Sequence, residues 1–113
     1  MVHKLNTEEF YEKVYDFNSD NPLNFLGEKP AIIDFYADLC GPCKMVSPIL
    51  EELSQEYEFV DFYKVDIDVE QEISSKLNIK SIPTLYFISK GKTPKVVIGA
   101  LDKSNLIKII DEL

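Results

Sequence analysis

Hydrophobic residues recur along the chain with two different periods, and the switches between them predict the order of its elements. Near the amino end, a helical spacing places Phe10, Val14 and Phe17 on one apolar stripe. The following segment 31–37 (AIIDFYA) is apolar on both alternating faces except at Asp34. This pattern is typical of a strand that is covered on both sides, so a carboxylate within it requires an explanation.

The rest of the chain continues the alternation of helices and strands. From Gly41 the spacing becomes helical again, and a second strand is predicted within 59–67, followed by a short helix with Asp68 as its N-cap. Two further strands, within 84–89 and 96–100, are joined by a short polar span that contains glycine and proline, and a last helix ends the chain. The order predicts an α/β protein, a βαβ unit followed by a ββα unit, with one central mixed sheet flanked by helices on both faces.

Length and charge narrow the class of protein. With 113 residues, 45% of them hydrophobic and 28% charged, the chain is expected to form a single domain over residues 1–113. Its net charge of −8 disfavours nucleic acid and anionic membrane surfaces as partners. Because the amino end lacks the apolar run of a signal peptide, we expect a cytoplasmic protein.

Both cysteines of the chain lie in the segment 37–44 (ADLCGPCK), as Cys40 and Cys43. This spacing is compatible with a redox pair, with half of a zinc site, or with a structural disulfide. A structural zinc needs two more ligands, and the only histidine, His3, is close to the terminus. A disulfide across so small a loop adds little stability, so reversible redox chemistry is the interpretation we prefer.

The position of the cysteines between a strand and a helix gives them different roles. At the N-cap of the helix, Cys40 faces unpaired backbone N–H groups and the positive end of the helix dipole, both of which favour the thiolate. Cys43 falls in the first turn and is more shielded. We therefore expect Cys40 to attack a substrate disulfide and Cys43 to resolve the mixed disulfide, while Pro42 fixes the helix start and Gly41 allows close approach.

Three segments, 34–44 (DFYADLCGPCK), 80–84 (KSIPT) and 96–101 (VVIGAL), resemble the thioredoxin family in order and approximate spacing. The resemblance extends along nearly the whole chain. It implies a thioredoxin fold and a protein-disulfide reductase that uses no cofactor and no metal. It also implies protein disulfides as substrates, a separate thioredoxin-reductase-like electron donor and a monomeric enzyme.

The resemblance also explains the charged residue in the apolar strand. In the family, the aspartate that matches Asp34 is buried beneath the cysteines and helps to move a proton to or from the resolving thiol, with the lysine that matches Lys64 nearby. Burial raises the pKa of such a carboxyl and a close ammonium lowers it. The alternative is a buried aspartate with a purely structural, paired role.

A substrate-binding surface follows from the same resemblance. It implies a cis peptide bond between Ile82 and Pro83 that faces the disulfide and leaves the backbone of Ile82 free to pair with an extended substrate segment. A shallow apolar patch would hold that segment, formed by Gly41, Pro42, Ile82, Pro83, Gly99 and Ala100.

The residue before the first cysteine differs from the family pattern. The family usually has tryptophan there, whereas this chain has Leu39 and contains no tryptophan. Leucine keeps the surface apolar but lacks the flat ring and the indole N–H, so we expect Leu39 to change partner affinity while the exchange chemistry remains. In the helix that follows the cysteines, Met45 and Val46 are expected to lie in the core.

Two other functions remain open at this point. The chain is also compatible with a dedicated thiol oxidant or isomerase, which the measured potential of the cysteine pair would distinguish from a reductant. It is compatible as well with a non-catalytic binding subunit, whose role would survive replacement of both cysteines.

Overall fold

A computed structural model describes all 113 residues of the chain. Five strands and four helices follow one another in the order β1 (His3–Lys4), α1 (Thr7–Lys13), β2 (Ala31–Tyr36), α2 (Gly41–Glu56), β3 (Asp61–Asp66), α3 (Gln71–Lys76), β4 (Thr84–Ile88), β5 (Lys95–Ile98) and α4 (Lys103–Asp111). None of the helices has the length and apolar character needed to cross a membrane.

The strands form one mixed sheet in the order β1-β3-β2-β4-β5. The strands β1, β3 and β2 run parallel, whereas β4 pairs antiparallel with both β2 and β5. The predicted mixed sheet is therefore confirmed, with one addition. The two residues of β1 pair with Tyr63 and Lys64, and so short a strand has no hydrophobic alternation that a sequence pattern can reveal.

Two hydrophobic clusters cover the two faces of the sheet, and β2 contributes to both because its side chains alternate. On the face covered by α1 and α3, Ile33 and Phe35 pack with Phe10 and Ile73 in a cluster of 11 buried residues. The opposite face is covered by α2 and α4, where a cluster of 10 buried residues includes Ile32. The expected helices on both faces are thus present, and Asp34 shares its face with Ile32.

Two details of the helices differ from the sequence prediction. The first helix is capped by Asn6, whose side chain accepts from the Glu9 N–H, and it ends at Lys13, so Phe17 lies beyond it and stacks on Phe10 from the following loop. The prediction that Asp68 caps the third helix is wrong. That helix begins at Gln71 without a side-chain cap, and the backbone N–H of Asp68 instead donates to the buried carboxylate of Asp66 at 2.9 Å.

Candidate active site

The two cysteines lie where β2 passes into α2, and their sulfur atoms are joined in a disulfide with the Cα atoms 5.2 Å apart. Cys40 is the N-cap of α2, and its Sγ accepts a hydrogen bond from the Cys43 N–H at 3.2 Å. Cys40 is half-buried, whereas Cys43 is only 3% exposed. The first sulfur is therefore both the more accessible and the one that faces the helix N-terminus.

Asp34 lies beneath this corner on the face of the sheet that α2 covers. It is 3% exposed, and it pairs in the sheet with Lys64 on β3 and Leu85 on β4. One of its carboxyl oxygens, Oδ1, is buried and accepts no hydrogen bond from another protein group. A pocket of about 180 Å³ connects it with the cysteine corner, and its lining consists of Asp34, Tyr36, Ala37, Asp38, Cys43, Lys44, Ser47 and Lys64.

Burial and charge act in opposite directions on this carboxyl group. Removal from water raises the pKa of Asp34 and the Lys64 ammonium lowers it by a smaller amount, so that the pKa is about 7 and not the ordinary 3.8. The same ammonium lies 5.8 Å from the centroid of the Tyr36 ring, the next side chain on this face of β2. Near neutral pH the carboxyl group is thus present in both protonation states, as a group that accepts and returns a proton must be.

The sequence prediction had named Asp34, Cys43 and Lys64 but not the other residues of the pocket. Tyr36 shares the face of Asp34 because the two are two positions apart on a strand. Ser47 shares the face of Cys43 because the two are four positions apart on a helix. Both periodicities are visible in the sequence, so these two lining residues were within reach of the same pattern argument.

The structure contains the expected cis peptide bond between Ile82 and Pro83. Because Thr84 pairs with Phe35 near the end of β2, Pro83 lies at the end of the sheet from which the cysteine segment leaves. Gly99 donates its N–H to the Pro83 carbonyl at 2.8 Å. Its φ of 103° is a conformation that side chains rarely adopt, which accounts for glycine at this position.

The other predicted surface residues surround the cysteines or follow β5. Gly41, Pro42 and Ala100 are exposed, and Leu39 is 96% exposed. The expectation that Met45 belongs to the core is wrong, since its side chain is 69% exposed, although Val46 is fully buried as expected. A helix of this amphipathic pattern buries only one stripe, and Met45 lies outside the stripe that Val46 and Leu50 form.

A bonded cysteine pair at a helix N-terminus, next to a carboxyl group that titrates near neutral pH, is the arrangement of a thiol-disulfide oxidoreductase. Comparison with known proteins agrees. A family model described as Thioredoxin matches residues 1–112. A thioredoxin of Borreliella burgdorferi is 50% identical over 113 residues, covering 99% of this chain and 97% of the relative. A thioredoxin of Sus scrofa is 42% identical over 91 residues, covering 80% and 86% of the two chains.

Two solved structures share the fold. A chloroplastic thioredoxin z superposes with a TM-score of 0.81 at 27% identity, covering 98% of this chain and 92% of the other. The Malassezia sympodialis thioredoxin gives 0.78 at 32% identity, with coverages of 99% and 90%. The chain belongs to the thioredoxin family and has the thioredoxin fold. It is a thiol-disulfide reductase of protein disulfides whose redox centre is the Cys40–Cys43 pair.

Proposed function

We propose that Cys40 is the attacking thiol and Cys43 the resolving thiol. The observation that supports this assignment is the contrast in their surroundings, since Cys40 is accessible at the N-cap of α2 and Cys43 is 3% exposed behind it. The helix N-terminus stabilises the thiolate form of Cys40, which is the nucleophile in disulfide exchange.

The reaction balances with two thiols and one substrate disulfide. The Cys40 thiolate attacks one sulfur of the substrate, the substrate S–S bond breaks, and the second substrate sulfur leaves as a thiolate that takes up a proton. The Cys43 sulfur, after losing its proton, attacks Cys40 in the mixed disulfide and releases the first substrate sulfur. Two electrons have then passed to the substrate, and the chain is left in the disulfide form described above.

We propose that Asp34 takes the proton from Cys43 as that thiol becomes a nucleophile. The two residues line the same pocket, and the pKa of Asp34 is raised to about 7 by burial, which makes its carboxylate a competent base near neutral pH. Lys64 lines the pocket from the neighbouring strand, and its positive charge stabilises the ionised form of Asp34. In this proposal, Lys64 limits how far burial raises the pKa of Asp34.

The proposed substrate surface surrounds the half-buried Cys40. The backbone of Ile82, next to the cis bond, pairs with an extended segment of the substrate. The surface around it is completed by Leu39, Gly41, Pro42, Gly99 and Ala100, whereas Pro83 is itself buried and acts through the cis bond that positions Ile82.

We further propose that the chain works as a single-domain monomer in the cytoplasm and is recycled by a thioredoxin-reductase-like electron donor. One continuous five-stranded sheet supports a single domain. A reducing compartment suits a cysteine pair that must return to the dithiol form after every turnover.

Reduction of insulin disulfides, coupled to candidate electron donors, tests the function. We expect turnover with the native chain and none with Cys40→Ser. A matched pair of variants tests the order of the two thiols: Cys43→Ser should accumulate mixed disulfides with substrates, and Cys40→Ser should not. Equal trapping by both variants would contradict the proposed roles.

A further inference from the structure

The strand β5 forms a free edge of the sheet. The backbone N–H and C=O groups of successive β5 residues point alternately toward β4 and toward solvent. The hydrogen bond from the Gly99 N–H to the Pro83 carbonyl, together with the register of β4 and β5, shows which residues point toward β4. Lys95 and Val97 face β4, so the N–H and C=O groups of Val96 and Ile98 point outward. No loop, turn or cap in the chain bonds to these groups.

The side chains of the same two residues border an apolar groove. Val96 is 46% exposed and Ile98 is 69% exposed. They share with Tyr86, Leu77 and Ile79 a groove of about 280 Å³ beside the free edge. An extended segment that paired with β5 would therefore place every second side chain over this groove.

The charges around the edge are opposite in sign to the net charge of the protein. Between Ile73 and Leu101 the chain has no acidic residue, and all of its charged side chains there are exposed lysines, namely Lys76, Lys80, Lys90, Lys92 and Lys95. Only Lys90 has a salt-bridge partner, Glu28 at 3.6 Å. Lys80 lines the groove, and no carboxylate does. On the other face of the sheet, Glu112 of α4 lines a pocket together with Lys92 and Lys95. Lysines still outnumber carboxylates along this edge, in contrast to the net charge of −8 of the whole chain.

We propose that the β5 edge and its groove bind an extended, acidic segment of a partner protein as an additional strand. Apolar side chains of that segment lie in the groove on alternate positions, and the carboxylates between them point to the opposite face of the sheet, on which Lys95 lies. The outward N–H and C=O groups of Val96 and Ile98 supply the backbone hydrogen bonds. The lysines that attract an acidic segment also repel the same edge of a second copy, which disfavours pairing between two copies of this chain.

This site does not depend on the thiol chemistry. The groove also includes Ser81 and Thr84, which flank Ile82 and Pro83, so a bound segment would lie beside the proposed substrate surface without using the cysteines. Binding should persist after replacement of Cys40 and Cys43 by serine, which separates a failure of this proposal from a failure of the proposed reductase roles.

A suitable probe is a peptide of about ten residues in which valine and glutamate alternate. We expect saturable binding to the full chain in amide NMR titrations, with the largest shifts in residues 95–98 and weaker binding as salt is added. The control peptide has lysine in place of glutamate. Equal binding of the two peptides, or shifts centred on the cysteine segment, would overturn the proposal, as would pairing of two copies through β5 in place of peptide binding.

Two variants probe the edge with little effect on folding. Val96→Pro removes an outward N–H, which edge strands tolerate, and also replaces a side chain that borders the groove. It should weaken binding of the acidic peptide by roughly twofold to tenfold. Ile98→Gln removes an exposed apolar contact without adding a charge and should weaken it by roughly tenfold. Phe59→Gln makes the same kind of change at another site that is 51% exposed and should leave binding unchanged. All three should still reduce a small disulfide reagent, and unchanged peptide binding by both β5 variants would refute the site.

Discussion

Successive side chains of β2 enter two different environments. Ile33 and Phe35 point into the cluster under α1 and α3, where no buried member carries a carboxylate or an ammonium group. On the opposite face, Ile32 is equally apolar, but Asp34, two positions further along, is buried next to the pocket below the cysteines. We call the first environment the α1/α3 face and the second the thiol end. The α1/α3 face stabilises the fold, whereas the thiol end contains a carboxyl group whose burial opposes its ionisation.

Alternate side chains of β2 therefore serve different ends, those on one face stability and Asp34 on the other the chemistry of the thiols. Burying apolar side chains of the α1/α3 face stabilises the folded state, since each removes surface from water. Burying Asp34 destabilises the folded state at high pH, because its charged form loses hydration that Lys64 replaces only in part. Changes on the α1/α3 face should therefore alter stability but not turnover, whereas changes at the thiol end should alter turnover.

The largest effect should come from Cys40→Ser at the thiol end. A hydroxyl group cannot form the mixed disulfide, so we expect insulin-disulfide reduction to be abolished while thermal unfolding of the reduced protein changes little. Retention of measurable turnover by this variant would show that Cys43 alone is a sufficient nucleophile and would remove the assigned roles.

On the α1/α3 face, Phe10→Ala should cost about 3–5 kcal/mol of unfolding free energy, because Phe10 is fully buried and its removal leaves a cavity. The matched control is Phe59→Ala, which truncates a side chain that is 51% exposed and should cost much less. Urea unfolding measures both. At temperatures where Phe10→Ala stays folded, turnover should equal that of the native chain, and a large loss of turnover would contradict the separation.

Asp34→Asn should stabilise the protein at high pH while slowing the reaction. Between about pH 4 and pH 7 the unfolded carboxyl is ionised and the folded one is still protonated, since burial raises its pKa from 3.8 to about 7. The folded state then binds more protons, so the unfolding free energy falls as pH rises through this window.

Asparagine removes this pH dependence. At pH 8 we expect the variant to be more stable than the native chain by roughly 1–3 kcal/mol, after allowance for the buried amide, and the gain should vanish near pH 4. Unfolding in urea at both pH values measures the difference. Turnover should fall at neutral pH. A variant with native turnover and an unchanged dependence of Cys43 reactivity on pH would exclude proton transfer by Asp34.

The smallest effect should follow Leu39→Trp, a change on the rim of the thiol end. Leu39 is 96% exposed, and an aromatic ring there adds contact area for a partner, so the apparent KM for protein substrates or for the electron donor should fall by roughly twofold to tenfold. Leu23→Trp, at a position that is 70% exposed near the β4–β5 turn, is the control. Identical kinetics of Leu39→Trp and the native chain would remove Leu39 as a determinant of affinity.

Much of the fold was predictable because the continuous apolar run of 31–37 and the helical spacing from Gly41 are strong signals. The strand β1 escaped prediction because it has two residues and depends on pairing with β3. The third helix was predicted, but its start was not, because it has no side-chain cap and Asp66, not Asp68, supplies the local carboxylate.

The reaction class follows from the sequence alone, since two cysteines in CGPC, an aspartate in an apolar strand and the IPT segment have few other joint explanations. The environment of each group depends on how the elements pack. Asp34 and Lys64 are far apart in sequence and become neighbours through the pairing of β2 with β3, and burial below α2 then sets the Asp34 pKa. The exposure of Met45 follows from the one-sided apolar pattern of α2. The free edge of β5, by contrast, depends on contacts between elements that no local pattern encodes.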